Sequence, residues 1–189
     1  MFKSVLAITF AAVTCFSLAA KAQTNVVSGQ ASQVAPKTSV SSSEFRRLAL
    51  IARFFDYEAS RLAMERSRRS AIKAYAQTLV NEFRPDFSRL VAGATLFSNL
   101  PTSLPSDLNA PIKPFVDDRR AQMLTQLAGA EGRDFDKLYV DMQAGVQQES
   151  LALYATYIQS GDDASLLAFA REKLPQIQRS YQSIARLAR

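Results

Sequence analysis

From Phe45 to Leu62 the chain sets Phe45, Leu48, Ala52, Phe55, Ala59 and Leu62 at intervals of 3, 4, 3, 4 and 3 residues. That repeat lines one face of a helix, and a strand cannot present it, because strand side chains alternate with a period of two. The same spacing returns downstream. Ile72, Ala76, Leu79, Phe83, Phe87, Leu90, Ala94 and Phe97 carry it through a second segment. Phe135, Tyr139, Met142, Val146, Glu149 and Leu153 form a third seam, and Leu167, Ala170, Leu174, Ile177, Tyr181, Ile184 and Ala188 a fourth. No stretch after the N-terminal segment alternates apolar and polar residues over a strand length. The fold class is therefore all-α.

Local punctuation bounds these helices. Ser41-Ser42-Ser43-Glu44 matches a capping box, Ser70 is placed to cap the second helix, Asp134 the third, and Asp162 or Asp163 the fourth, after Gly161. The expected helices span about 43–68, 70–97, 134–160 and 163–187. Pro85 and Pro175 fall inside the pattern. Pro85 is expected to kink or break the second helix near Glu82, because proline removes a backbone donor. Pro101, Pro105, Pro111 and Pro114 make 98–116 a long crossover, and Asp117-Asp118 open a shorter helix over about 117–129. Matched helices joined by two short connections and one long one describe a four-helix bundle with ferritin-like connectivity.

The N-terminus reads as an export signal. Lys3 precedes the apolar run Val5 to Ala20, and Ala20-Lys21-Ala22 supplies a small-x-small cleavage pattern. Residues 1–22 are expected to be removed, leaving Gln23 as the mature start, a Ser/Gln/Thr-rich flexible leader over 23–42 and one domain over 43–189. The apolar run falls short of the ~20 residues that span a bilayer, so no transmembrane helix is expected after cleavage. The expected location is periplasmic or secreted. The single cysteine, Cys15, leaves with the signal. Lys3 and Lys21 leave too, and the formal net charge of +6 falls to +4. That excess is too small and too scattered to indicate nucleic-acid binding.

The absence of histidine from all 189 residues excludes a Ser-His-Asp triad, a Cys-His dyad and a Cys/His zinc site. It also excludes the Glu-x-x-His ligands of two-metal bundles. The nearest substitutes are Glu58 between Phe55 and Leu62, Glu82 beside Phe83, and Glu149 on the third seam. Three carboxylates together would hold a hard cation such as calcium or magnesium. Alternatively they flank the core and turn to water or to an arginine, since an unpaired buried carboxylate is costly. No cofactor is expected, and no constellation for catalysis is present. Arg66, Arg68, Arg69 and Lys73 crowd the first helix corner. They would suit an envelope protein or an anionic surface, and equally the negative end of a helix dipole.

The order of local pieces adds to this. Tyr57-Glu58-Ala59-Ser60-Arg61-Leu62-Ala63 is followed by Ile72-Lys73-Ala74-Tyr75-Ala76-Gln77-Thr78-Leu79-Val80-Asn81-Glu82-Phe83, then Phe135-Asp136-Lys137-Leu138-Tyr139-Val140. Gln147-Gln148-Glu149-Ser150-Leu151-Ala152-Leu153-Tyr154, Gly161-Asp162-Asp163 and Leu174-Pro175-Gln176-Ile177 complete the series. Over about 45–187 this resembles the bacterial domain of unknown function 4142, whose members are secreted, ferritin-like helical bundles. The resemblance implies that fold and an envelope location. Family members carry histidines where this chain has Phe83, Gln147 and Ser180, and of the family's positions only Glu58 is kept in kind. The resemblance therefore implies a divergent member with no metal site to carry over. The expected function is a non-enzymatic binding or envelope-stress protein, with carboxylate metal binding as the alternative.

Overall fold

The computed structural model describes residues 39–92 and 116–188. The expected signal peptide, nearly all of the leader, the proline-rich crossover and the last turn expected of the second helix lie outside these residues. Among them are five helices and no strand: α1 (Ser42–Arg66), α2 (Ser70–Val91), α3 (Asp118–Gly129), α4 (Gly132–Ser160) and α5 (Ala164–Leu187). The all-α expectation holds, and the arrangement is a helical bundle.

Three of the helix starts are set by short polar side chains. Ser41, Asp117 and Asp163 accept hydrogen bonds from the amides of Glu44, Arg120 and Leu166, each satisfying one free donor of a first turn. Two expected caps do not form. Helix α2 starts after Arg69 and makes no side-chain cap with Ser70, and α4 starts at Gly132, two residues before Asp134. Gly132 has φ +57°, a conformation that only glycine adopts cheaply, so the chain turns there and Asp134 falls within the first turn.

Helix α2 runs unbroken through Pro85, and α5 through Pro175. Both prolines and the residues four before them, Asn81 and Arg171, are solvent-exposed. The carbonyl that loses its partner in each case faces water, so the expected break is unnecessary.

Contacts between helices fix their directions. Arg53 meets Asp86 and Tyr57 stacks on Phe83, so α1 and α2 are antiparallel. Ser60 bonds Tyr139 and Phe45 stacks on Tyr157, so α1 and α4 are antiparallel too. Arg89–Glu172 and Lys173–Asp86 make α2 and α5 antiparallel. Helices α2 and α4 thus run the same way, and the chain between them must climb back along the bundle. Helix α3 completes that climb, from Arg120 beside Glu149 to Ala128 beside Arg66.

Helix α1 is the centre. Every residue from Ala49 to Tyr57 is buried, because α2, α3 and α4 all pack on it. The buried apolar side chains form two clusters along the axis. One holds Phe45, Leu50, Phe54, Phe83, Phe87, Tyr154, Tyr157 and Phe169. The other holds Phe55, Ile72, Leu79, Phe135, Tyr139, Val146 and Ile184. The α2 seam matches its spacing at Ile72, Ala76, Leu79, Phe83, Phe87 and Leu90. The α4 seam does not. After Val146 the buried face continues through Gln147, Ser150 and Tyr154, while Glu149 is exposed and Leu153 only half-buried.

Truncating Phe55, which is fully buried, to alanine should cost ~3–5 kcal/mol. Leu153→Ala, at a half-buried position, should cost only about 1–2 kcal/mol, since fully burying a leucine is worth ~1.5–3. Urea midpoints of the two variants check the difference.

Candidate functional site

Two charges interrupt the apolar run of α1 at its middle, Arg53 and Asp56, and both are buried, 3% and 1% exposed. A buried charge needs a partner, and the neighbouring helices supply several. Arg53 meets Asp56 at 2.6 Å, Asp86 of α2 at 3.7 Å and Glu82 at 4.0 Å. From α5, the buried Lys173 meets Asp86 at 2.7 Å and Glu82 at 3.9 Å, and donates to Gln176 at 2.7 Å. From α4, Gln147 donates to Asp56 at 3.3 Å. Four helices thus converge on one polar layer, which lies at the junction of the two apolar clusters. Arg53, Lys173, Asp56 and Asp86 balance in formal charge, and Glu82, with its side chain 31% exposed, adds one negative charge at the edge.

The layer is rich in unused hydrogen-bonding capacity. Asp56 Oδ1, Gln147 Oε1, both amide ends of Gln143 and Ser150 Oγ are buried without a hydrogen-bond partner among the described residues. Gln143, Gln147 and Ser150 are spaced 4 and 3 residues apart, on one face of α4. Burial pushes the Asp56 carboxyl up to about 6. Arg53 opposes this, but its single charge is shared with Asp86 and Glu82. Burial pulls the Arg53 guanidinium down, and the surrounding carboxylates more than reverse it.

Beside this layer, α2 and α5 part to form a groove of about 640 Å³. Tyr75, Thr78 and Glu82 line it from α2; Gln176, Arg179, Ser180, Ser183 and Arg186 line it from α5. Glu82 belongs to both features, with one side toward Arg53 and Lys173 and the other toward solvent. Burial pushes the Tyr75 hydroxyl well above its ordinary value, with Asp56 acting in the same direction.

The three glutamates singled out from sequence are not brought together. Glu58 lies 3.5 Å from Arg61. Glu82 faces Arg53 and Lys173. Glu149 sits on the outside of α4, against Arg119 and, at 2.7 Å, Arg120. Each is beside a cation of its own, and no group of three or more His, Cys, Asp or Glu among the described residues is placed to hold a metal ion. Glu149, expected on the third seam, is instead exposed on the outer face of α4. Phe83 is 1% exposed, stacked on Tyr57 and edge-on to Phe54.

The basic corner has a structural use. Arg66 donates to the Ala128 carbonyl and Arg69 to the Leu187 carbonyl at 3.1 Å, so each satisfies a free acceptor at the end of a neighbouring helix. Arg46 does the same for α2, through Leu90 and Ala92 at 2.8 and 2.7 Å. Arg68 and Lys73 are exposed beside them.

Arg53, Asp56, Asp86, Lys173 and Gln143 are not legible from heptad spacing, because a spacing argument follows the apolar positions and these polar residues lie on the same buried faces. One signal was present. The run Leu48 to Tyr57 is apolar on all sides of a helix apart from Arg53 and Asp56. A helix apolar all round is buried, and its charges are buried with it.

The Asp56 shift fixes a sign. Its folded value, about 6, lies above the ordinary 3.8, so the stability it confers is complete below about 4 and is lost as pH rises through about 6. At roughly 1.4 kcal/mol per pH unit this amounts to up to about 3 kcal/mol. Asp56→Asn, which resembles the protonated acid, should flatten the slope of stability between pH 4 and 7, as read from urea midpoints across that range. Lys173→Met leaves Asp86 buried with only the more distant Arg53 and should cost ~3–5 kcal/mol, measured in the same way.

No curated protein and no solved structure matches the chain. One family model does, that of the domain of unknown function DUF4142, and it covers residues 27–187. With nearly the whole described bundle inside that match, the chain belongs to the DUF4142 family.

Proposed function

We propose that this DUF4142 protein is an exported, non-enzymatic binding bundle of the bacterial envelope, and that its ligand enters the groove between α2 and α5. The observation that carries this is the groove itself. At about 640 Å³ it falls within the usual range for small-molecule sites, roughly 300–1,000 Å³. Its lining mixes polar side chains with Ala71, Ala74 and Leu187, and it reaches inward to Glu82, the outer member of the buried charged layer.

The chemistry of the lining supports binding over catalysis. The chain has no histidine to serve as general base, and the buried carboxylates are engaged by arginine and lysine. Export is supported by the Lys3, Val5–Ala20 and Ala20-Lys21-Ala22 sequence. The ferritin-like label is supported by the parallel course of α2 and α4 and the long return between them. The alternative, a carboxylate metal site on Glu58, Glu82 and Glu149, is disfavoured because each has a different cationic neighbour.

Native mass spectrometry of the full chain, expressed and purified from the envelope fraction, tests both parts. The chain should begin at Gln23 and carry a molecule below about 1,000 Da. Ser180→Trp, which fills the groove from its half-exposed wall, should lose that molecule while keeping the helical circular dichroism. Retention of Cys15 would overturn export as drawn, and a chain that holds nothing, or holds the same molecule when the groove is filled, would overturn the binding role.

A further inference from the structure

The groove has an acidic end and a basic end. At the first, Glu82 stands 3.9 Å from Lys173 and 4.0 Å from Arg53. Both distances exceed that of a hydrogen bond, so its carboxylate oxygens keep their capacity to accept. At the second, Arg179 is exposed and has no carboxylate partner among the described residues. It lies six residues beyond Lys173 on α5, a rise of about 9 Å. Tyr75 lies seven residues before Glu82 on the antiparallel α2, and so at the same level as Arg179. Its hydroxyl is buried beside Ser180 and makes no aligned hydrogen bond. Arg186, further along, is already engaged by Ser183 at 3.2 Å.

A purely anionic ligand would meet Glu82, and a purely cationic one would meet Arg179 and Arg186. A molecule with an ammonium at one end and a carboxylate at the other satisfies both ends. An extended peptide advances ~3.3–3.6 Å per residue, so two to three residues span the interval. We propose that the groove binds a short peptide with free termini, its ammonium on Glu82 and its carboxylate on Arg179. This rests on the groove being the binding site and specifies what it takes. The Lys173–Asp86 pair behind Glu82 gives the acidic end a fixed backing. Gln176, between the two ends, has its side-chain oxygen held by Lys173, which leaves its amide nitrogen as a donor to a peptide carbonyl.

Isothermal titration calorimetry of the full mature chain at pH 7 and low salt, with trialanine as probe, tests the proposal. Trialanine should bind, and acetylating its amine or amidating its carboxylate should each weaken binding by about tenfold or more, the loss of one charge-assisted contact. Glu82→Gln should weaken trialanine by a similar factor and leave the acetylated peptide unaffected. Arg179→Gln should do the same with respect to the amidated peptide. Both positions reach solvent, and thermal melting checks that the variants fold. The comparison of capped and free peptides on the unaltered chain needs no variant at all. Equal binding of capped and free trialanine, displacement of trialanine by inorganic phosphate, or no heat at millimolar peptide would overturn the proposal. If trialanine fails while a different molecule is retained and then lost in Ser180→Trp, the groove remains a binding site and only the peptide assignment falls. If neither probe nor retained molecule is found, both fall.

Discussion

The four long helices of this bundle meet around a guanidinium with almost no access to water. Arg53 sits in the middle of the central helix, and a charge so placed is tolerated only where carboxylates surround it. Asp56 from the same helix and Asp86 from α2 do so, and Asp86 in turn requires Lys173 from α5. The chain of requirements passes through three helices and ends at Gln147 on the fourth. Such a layer is a poor source of net stability, because desolvation cancels most of the Coulomb gain. It bears on register: sliding α1, α2 or α5 by one turn would separate Arg53, Asp86 and Lys173 from their partners.

The ends of the helices are managed by the same residue type. Arg46, Arg66 and Arg69 donate to the last carbonyls of α2, α3 and α5, whose acceptors would otherwise lack partners. Arginine suits this use, since its fork carries several donors and its charge opposes the negative helix terminus. The basic excess of the first corner is thus partly internal to the fold.

The groove follows from the layer. Between α2 and α5 the chain places Glu82, Lys173 and Gln176 where apolar side chains would close the seam. The groove opens beside these side chains, with Glu82 and Gln176 in its wall against the charged centre. The same substitution of polar for apolar residues explains why the α4 and α5 seams departed from expectation. On α4 the buried face passes through Gln143, Gln147 and Ser150, and on α5 through Lys173. Even spacing alone would carry the seams to Glu149, Leu153 and Leu174, which are exposed or only half-buried.

The sequence by itself determined the helices, their order and the α2 seam, because apolar spacing and capping act within a few residues and carry their full information locally. Capping at Ser41, Asp117 and Asp163 is of this kind. The start of α4 is set by the left-handed turn at Gly132, and the continuity of α2 and α5 depends on where solvent lies, since Pro85 and Pro175 face water. The buried charges were decided only in three dimensions. Whether Arg53 or Lys173 is inside or outside is not a property of its own helix, since its burial is tolerated only where residues about 29 to 91 positions away supply the opposite charge. Glu82 and Glu149 look alike in sequence and were separated by packing, which sets one beside Arg53 and Lys173 and the other beside Arg119 and Arg120, whereas Glu58 lies beside Arg61 of its own helix.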